Sequence, residues 1–92
     1  MKPVRIHPRL LADIRAMPSG ERRRIGEAFA AAQASIGQPH LHRGTGLRKL
    51  HEDYYEVRIG LVQRLVFENT GVALVFEFLG NHDDVKRFLK GS

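Results

Sequence analysis

The second half of the chain carries three or four runs in which apolar and polar residues alternate, with turn residues between the runs. In one of them, Tyr55, Val57 and Ile59 face one side and the residues between them face the other, which is the period of a β-strand. The last run, residues 72–79, is apolar on both faces apart from Glu77, as expected of a central strand. This pattern predicts a mainly antiparallel sheet.

The first half of the chain has helical spacing after a short strand, residues 3–6, whose Val4 and Ile6 are expected to face inward. A first helix is predicted from Pro8 to just before Pro18. Ser19 is expected to cap a second helix, whose apolar residues follow the i, i+3, i+4 spacing. We expect the two helices to form an antiparallel hairpin against one sheet face.

Two further segments complete the predicted fold. Residues 38–46, QPHLHRGTG, have the composition of a loop. Asn81 is a good N-cap for a short C-terminal helix, with Val85, Phe88 and Leu89 on its apolar side. The prediction is therefore an α+β fold in a single domain of residues 1–92.

The pairing of the two strands around Gly60 can be argued from side-chain character. A loop of Ile59, Gly60 and Leu61 keeps apolar residues on one face and sets Glu56 opposite Arg64 as an ion pair. Arg58 then shares a face with Arg64. We expect that face to carry no helix.

Composition narrows the class of protein. The 92 residues include 15 Lys and Arg against 10 Asp and Glu, so the net charge of +5 favours a polyanionic partner, either nucleic acid or an acidic protein. Cysteine is absent, which excludes disulfides and thiolate chemistry and fits a reducing compartment. The longest apolar run, residues 72–76, is too short to cross a membrane. With no secretory signal at the N-terminus, we expect a cytoplasmic protein that binds no membrane.

His40 and His42 lie two residues apart and could in principle share a metal ion. No third ligand has a suitable spacing, and zinc sites need three or four ligands. The sequence therefore predicts neither a metal site nor a cofactor.

Four segments in this order, GLRKL, YYEVRIG, QRLVFE and GNHDDVKRFL, resemble the RelE/ParE superfamily of toxins from type II toxin–antitoxin systems. The resemblance spans nearly the whole chain and implies a RelE-like fold. Members similar to RelE, YoeB and HigB are endoribonucleases that cut mRNA on the ribosome without a metal. Their reaction, attack of a ribose 2′-OH on the adjacent phosphate, needs a base, an acid and fixed positive charge.

The resemblance implies roles for individual residues. Arg64 matches the family's phosphate-binding arginine and Arg58 a basic position one strand earlier. His82 matches the acid or base that follows the last strand in the YoeB-like and HigB-like branches. Lys49 matches basic residues near the substrate, and Phe88 lies near a C-terminal aromatic that is often tyrosine. The implied catalytic residues are thus Arg64, His82 and Arg58.

The predicted substrate-binding residues are Lys49, Arg48, Tyr54 and Phe88, with the Tyr54 ring on the open face available for stacking on a base. Phe88 departs from the family pattern because it has no hydroxyl to move a proton, and the turn between Arg58 and Arg64 is one residue longer than usual. Each residue also has a structural interpretation: Arg64 neutralises Glu56, and His82 is a solvated residue beside a helix start.

Three functions stay open at this point. The first is a ribosome-dependent mRNA endoribonuclease, the second a ParE-like inhibitor of DNA gyrase, and the third a non-catalytic module that only binds an antitoxin. All three imply a cognate antitoxin as partner, with an acidic flexible segment that covers the basic surface. The first adds mRNA on the ribosome, and the antitoxin offers a route to a DNA-bound toxin–antitoxin complex.

Overall fold

A computed structural model describes residues 1–91 as one mixed sheet with helices on both faces. The elements are, in chain order, β1 (Val4–Ile6), α1 (Pro8–Arg15), α2 (Ser19–Ser35), α3 (Pro39–Thr45), β2 (Leu47–His51), β3 (Tyr54–Ile59), β4 (Gln63–Asn69), β5 (Leu74–Gly80) and α4 (His82–Gly91). The strand order is β1-β5-β4-β3-β2. β1 pairs parallel with β5, and the other three pairs are antiparallel. None of the helices in this range is long and apolar enough to span a bilayer.

One face of the sheet carries the main hydrophobic core, beneath α1 and α2. Phe67 and Phe76 lie at its centre, fully buried, with ring centroids 4.7 Å apart. Phe29 of α2 packs on Phe76 at 4.5 Å, and Val4 and Ile6 of β1 pack at the border. The predicted α+β architecture, with a helical pair on one face of a mainly antiparallel sheet, is confirmed.

The predicted cap of α2 is wrong by one residue. Pro18 is the N-cap, with extended backbone at φ −58° and ψ 153°, and its carbonyl accepts a hydrogen bond from the Arg22 N–H at 3.0 Å. Ser19 is already helical, and no side chain among residues 1–91 caps this end of the helix.

The predicted loop over residues 38–46 is also wrong, because Pro39–Thr45 form helix α3. Proline suits a first helical turn, where its missing N–H costs nothing, so Pro39 starts a helix as well as ending the preceding segment. Thr45 Oγ1 donates to the Leu41 carbonyl, and Gly46 ends the helix with φ +72°, a conformation that glycine adopts without strain. The helix places His42 and Arg43 beside the start of β2.

The β3–β4 register differs by two residues from the prediction. Arg58 pairs with Arg64 and Ile59 with Gln63, so the three-residue loop is Gly60, Leu61 and Val62. Because side chains alternate with period two, a two-residue shift leaves every side chain on its predicted face. Arg58 and Arg64 are therefore direct cross-strand neighbours.

The sheet face that carries Arg58 and Arg64 is not free of helices as predicted, since α4 packs on it. Val85 of α4 is 2% exposed, Val66 of β4 beneath it is fully buried, and the rings of Phe88 and Phe78 stack at 4.9 Å. The apolar side of α4 needs a surface to cover, and Val66 with Phe78 supplies one. Arg58 remains exposed on this face, whereas the Arg64 side chain is only 16% exposed.

Candidate functional site

The candidate site is organised around Glu56, a nearly buried carboxylate in the middle of β3. Glu56 is 3% exposed, which is rare for a charged residue without partners. Arg48 lies directly opposite on β2, with its Nε 3.7 Å from Glu56 Oε2. Arg64 approaches diagonally from β4, with Nη1 3.5 Å from the same oxygen. One carboxylate thus joins two arginines from the strands on either side.

The two arginines differ in their exposure to solvent. The Arg64 side chain is 16% exposed and the Arg48 side chain 64%. Like charges directly across a strand pair are unfavourable, and Arg64 faces Arg58 in that way. The Glu56 carboxylate offsets this repulsion, so the ion pair holds Arg64 in place.

Two polar atoms of this cluster have no hydrogen-bond partner among residues 1–91. They are Glu56 Oε1 and Arg64 Nε, both buried. An unpaired buried polar atom costs about 1–3 kcal/mol, so the cluster is incompletely satisfied within the chain itself. This is a feature more typical of sites than of structural ion pairs.

A cavity of about 380 Å³ opens beside Glu56, between β2 and α4; we call it the His82 cavity. Its lining residues are Arg48, Lys49, Leu50, Glu56, His82, Val85, Lys86 and Leu89. The cavity brings together the predicted residues Arg48, Lys49 and His82. Its walls carry three permanent positive charges against the single carboxylate that Arg48 and Arg64 share.

The start of α4 fixes the position of His82. The Asp84 N–H donates to Asn81 Oδ1 at 2.8 Å, and the Asn81 N–H donates to Asp84 Oδ2 at 2.9 Å. These two bonds cap the helix reciprocally, and Asn81 is the predicted capping residue. A Cβ on Gly80 would lie 2.7 Å from Asp84 Cβ, so glycine there permits the helix to turn tightly off β5. Gly80 pairs with Arg64, which sets His82 two residues beyond the arginine's partner.

Lys86 belongs to this cavity and was missed by the sequence prediction. It follows His82 by four residues in α4, the spacing at which helical side chains share a face. That spacing was visible in the sequence, but it gained meaning only once the His82 face of the helix was known to meet β2. The sequence predicted the ion pair between Glu56 and Arg64 but not the second ion pair between Glu56 and Arg48.

Arg58 lines a second cavity, of about 450 Å³, which we call the Arg58 cavity. Its walls are His42, Arg43, Gly46, Leu47, Arg48, Glu56 and Arg58. Arg58 is therefore separated from His82 by the Arg48–Glu56 pair, although it shares a sheet face with Arg64. The three predicted catalytic residues surround Glu56 without lining one common cavity.

Tyr54 and Phe88 line neither of these cavities. Their rings meet edge to face at 6.2 Å, and Phe88 stacks on Phe78. Burial, together with the nearby carboxylates of Glu77 and Glu68, raises the pKa of Tyr54, and burial with repulsion from Glu68 raises the pKa of Glu77. The structure thus places these two predicted substrate-binding residues in the packing of α4.

In the described range, 1–91, no three histidine or acidic side chains come together in a group able to hold a metal ion. The ionisable groups that line the two cavities are guanidinium, ammonium and imidazole groups and the Glu56 carboxylate. The cationic groups bind phosphate, and imidazole moves protons.

Comparisons with known proteins relate the fold to solved structures. No protein-family model and no curated protein sequence matches the chain. The RelB–RelE antitoxin–toxin complex from Methanococcus jannaschii matches with a TM-score of 0.64 at 19% identity, over 91% of this chain and 96% of that one. A mutant E. coli RelE toxin bound to an antitoxin peptide, RelBc, matches with 0.61 at 16%, over 99% and 94%. YafQ from E. coli matches with 0.54 at 13%, over 92% and 98%. The chain therefore has a RelE-like fold, as predicted.

Proposed function

We propose that this chain, with its RelE-like fold, is the toxin of a type II toxin–antitoxin system and cleaves mRNA on the ribosome. The observation that carries the proposal is the His82 cavity, in which an imidazole faces Arg48, Lys49 and Lys86 beside the Glu56 ion pairs. Fixed cations around a proton-transfer group are what phosphodiester cleavage without a metal requires.

In the proposed reaction, the 2′-oxygen of a ribose attacks the adjacent phosphorus and the bond to the 5′-oxygen of the next nucleotide breaks. The products are a 2′,3′-cyclic phosphate and a 5′-hydroxyl. His82 makes one of the two proton transfers, either from the attacking hydroxyl or to the leaving oxygen. Its imidazole is exposed, so solvent is available for the other transfer.

The cations carry the charge that builds up on the phosphate. Arg48, Lys49 and Lys86 line the cavity and are placed to contact phosphate oxygens directly. Arg64 lies behind Glu56, 3.5 Å from its carboxylate, and in this proposal acts on the phosphate from there. Guanidinium groups remain charged at all working pH values, which suits them to this role.

The test is cleavage of ribosome-bound mRNA by the purified chain, mapped by primer extension. We expect cuts at codon-spaced positions, and we expect His82→Gln to slow cleavage about 10²- to 10⁴-fold, the usual contribution of a general acid or base. The matched control is His40→Gln, since His40 is exposed on α3 and lines neither cavity. Arg64→Lys should retain more activity than Arg64→Ala because it keeps the charge.

Two results would overturn the proposal that this chain is a nuclease. One is wild-type protein that leaves ribosome-bound mRNA intact. The other is His82→Gln protein that cleaves as fast as the His40→Gln control. DNA breakage that depends on gyrase would instead identify the ParE-like activity.

A second candidate is a non-catalytic module that binds an antitoxin. Two observations favour it: Arg64 is committed to Glu56, and Phe88 is packed against Phe78 and has no hydroxyl. The two candidates separate on expression without an antitoxin. Growth arrest supports the toxin, and unimpaired growth with normal protein levels supports the module.

Either candidate implies a cognate antitoxin as partner. Both RelE structures described above are complexes with RelB or a RelB-derived peptide. The net charge of +5 on this chain favours an acidic segment in the partner. The antitoxin would in turn supply any DNA contact of the complex.

A further inference from the structure

We infer that the Arg58 cavity binds a second phosphate of the same RNA strand, next to the one held in the His82 cavity. The inference rests on the proposed function, because it concerns how the RNA lies across that site. The family resemblance implied no role for His42 or Arg43, which α3 brings to this cavity.

The charge of the cavity supports an anionic ligand. Arg43, Arg48 and Arg58 contribute three permanent positive charges, and Glu56 is the one acidic side chain among its lining residues. Glu56 is already shared by Arg48 and Arg64. Within residues 1–91, Arg43 and Arg58 form no ion pair, and both are exposed. Their guanidinium groups are free to bind a ligand.

The cavity is built on backbone that holds these side chains close together. The Arg58 N–H donates to the Gly46 carbonyl at 3.1 Å, so β3 is joined to the end of α3. A Cβ on Gly46 would lie 3.0 Å from Arg58 Cβ, so a glycine is needed for this approach. The His42 ring is held by its Nε2, which donates to the Ser35 carbonyl at 3.1 Å, and by an edge contact with Tyr55.

The position of the cavity indicates a nucleic-acid backbone as the ligand. The Arg58 and His82 cavities share Arg48 and Glu56 in their walls, so they adjoin across the edge strand β2. An RNA strand with one phosphate beside His82 carries further phosphates at regular intervals on either side. Arginine pairs well with phosphate because its forked donors match two phosphate oxygens at once. One strand would therefore engage both cavities, with Arg48 between them.

The experiment measures binding of two non-cleavable probes, a 2′-O-methyl dinucleotide with one internal phosphate and a 2′-O-methyl tetranucleotide with three. The variant is the double substitution Arg43→Gln with Arg58→Gln. Its charge-matched control is Arg15→Gln with Arg22→Gln, exposed arginines of α1 and α2 that line neither cavity. Fluorescence anisotropy over a range of salt concentrations gives the affinity and its salt dependence.

For the tetranucleotide, we expect the double variant to lose about tenfold in affinity at low salt. Because the cavity holds one phosphate, the slope of log K against log salt should shrink by about 0.7, the value for one single-strand phosphate. The dinucleotide should bind the variant within about twofold of wild type, as should both probes with the control. Arg43→Gln alone, an exposed change with little risk to folding, should shrink the slope by less than the double variant does.

The inference is overturned if wild type binds the tetranucleotide no better than the dinucleotide. It is also overturned if the variant matches the control, or if an acidic peptide loses affinity for the variant while the tetranucleotide does not. Because binding of the probes needs neither a ribosome nor cleavage, these measurements do not depend on whether the chain has nuclease activity. If wild-type protein cuts no mRNA but the double variant loses affinity for the tetranucleotide alone, the nuclease proposal is refuted and the proposed RNA site stands.

Discussion

Replacing Glu56 by glutamine tests whether this carboxylate holds the site together. The substitution preserves the shape of the side chain and removes its charge. Arg64, 16% exposed, would then keep a largely buried positive charge without its counter-ion. Arg48 would lose the same partner but is 64% exposed, so water would compensate most of its loss.

The size of the effect follows from the geometry. Unit charges 3.5 Å apart attract by about 5 kcal/mol at an effective dielectric constant of about 20. The cost of removing both groups from water offsets part of this attraction. We expect Glu56→Gln to lower the free energy of unfolding by about 2–3 kcal/mol, which in a domain of this size lowers Tm by about 10–20 °C.

The assay is urea unfolding followed by circular dichroism, supported by a double-mutant cycle. Glu27→Gln is the matched control: it breaks the Arg23–Glu27 pair of α2, whose side chains are 80% and 70% exposed, and should cost about 0.5 kcal/mol or less. In the cycle, Glu56→Gln with Arg64→Met should show coupling of about 2 kcal/mol. The cycle with Arg48→Met should show less. Equal losses in Glu56→Gln and Glu27→Gln, or weaker coupling to Arg64 than to Arg48, would refute this account of the cluster.

Three further variants test the backbone around the site and a titrating group beneath α4. Gly46→Ala should cost about 1–2 kcal/mol in urea unfolding, since φ is +72° and the new Cβ would crowd Arg58. Gly44→Ala, with open space around it, should be neutral or stabilising, and a larger loss in Gly44→Ala than in Gly46→Ala would contradict this account of the turn. Asn81→Ala should lower the free energy of unfolding by about 1 kcal/mol in the same assay. A loss below about 0.3 kcal/mol would show that the Asn81 side chain does not stabilise the start of α4. Because the pKa of Glu77 is raised, the folded state binds its proton more tightly than the unfolded state, so wild type loses stability as pH rises above 4.5 through the folded pKa. Glu77→Gln lacks this loss, and its stability relative to wild type should therefore increase from about pH 4 to about pH 7; a constant difference would show that the raised pKa is wrong.

The sequence alone determined which side of β3, β4 and the predicted helices faces the core. Tyr55, Val57, Leu65 and Phe67 were predicted to share a face, and their alternation survives the two-residue error in register. Period-two alternation reports the face of a strand, but it is insensitive to a shift of two residues. The order of the elements was also readable apart from α3, because each of the others carries its own apolar periodicity.

Tertiary structure alone decided how the polar residues of different elements meet. Residues 39–45 have the composition of a loop, yet they form helix α3, which contacts α2 and β2. The apolar side of α4 was predicted correctly, but not that it would cover Val66 and place Lys86 in the His82 cavity. Local periodicity records what one segment prefers to bury. Which charges of distant segments come together depends on the packing of all the elements at once.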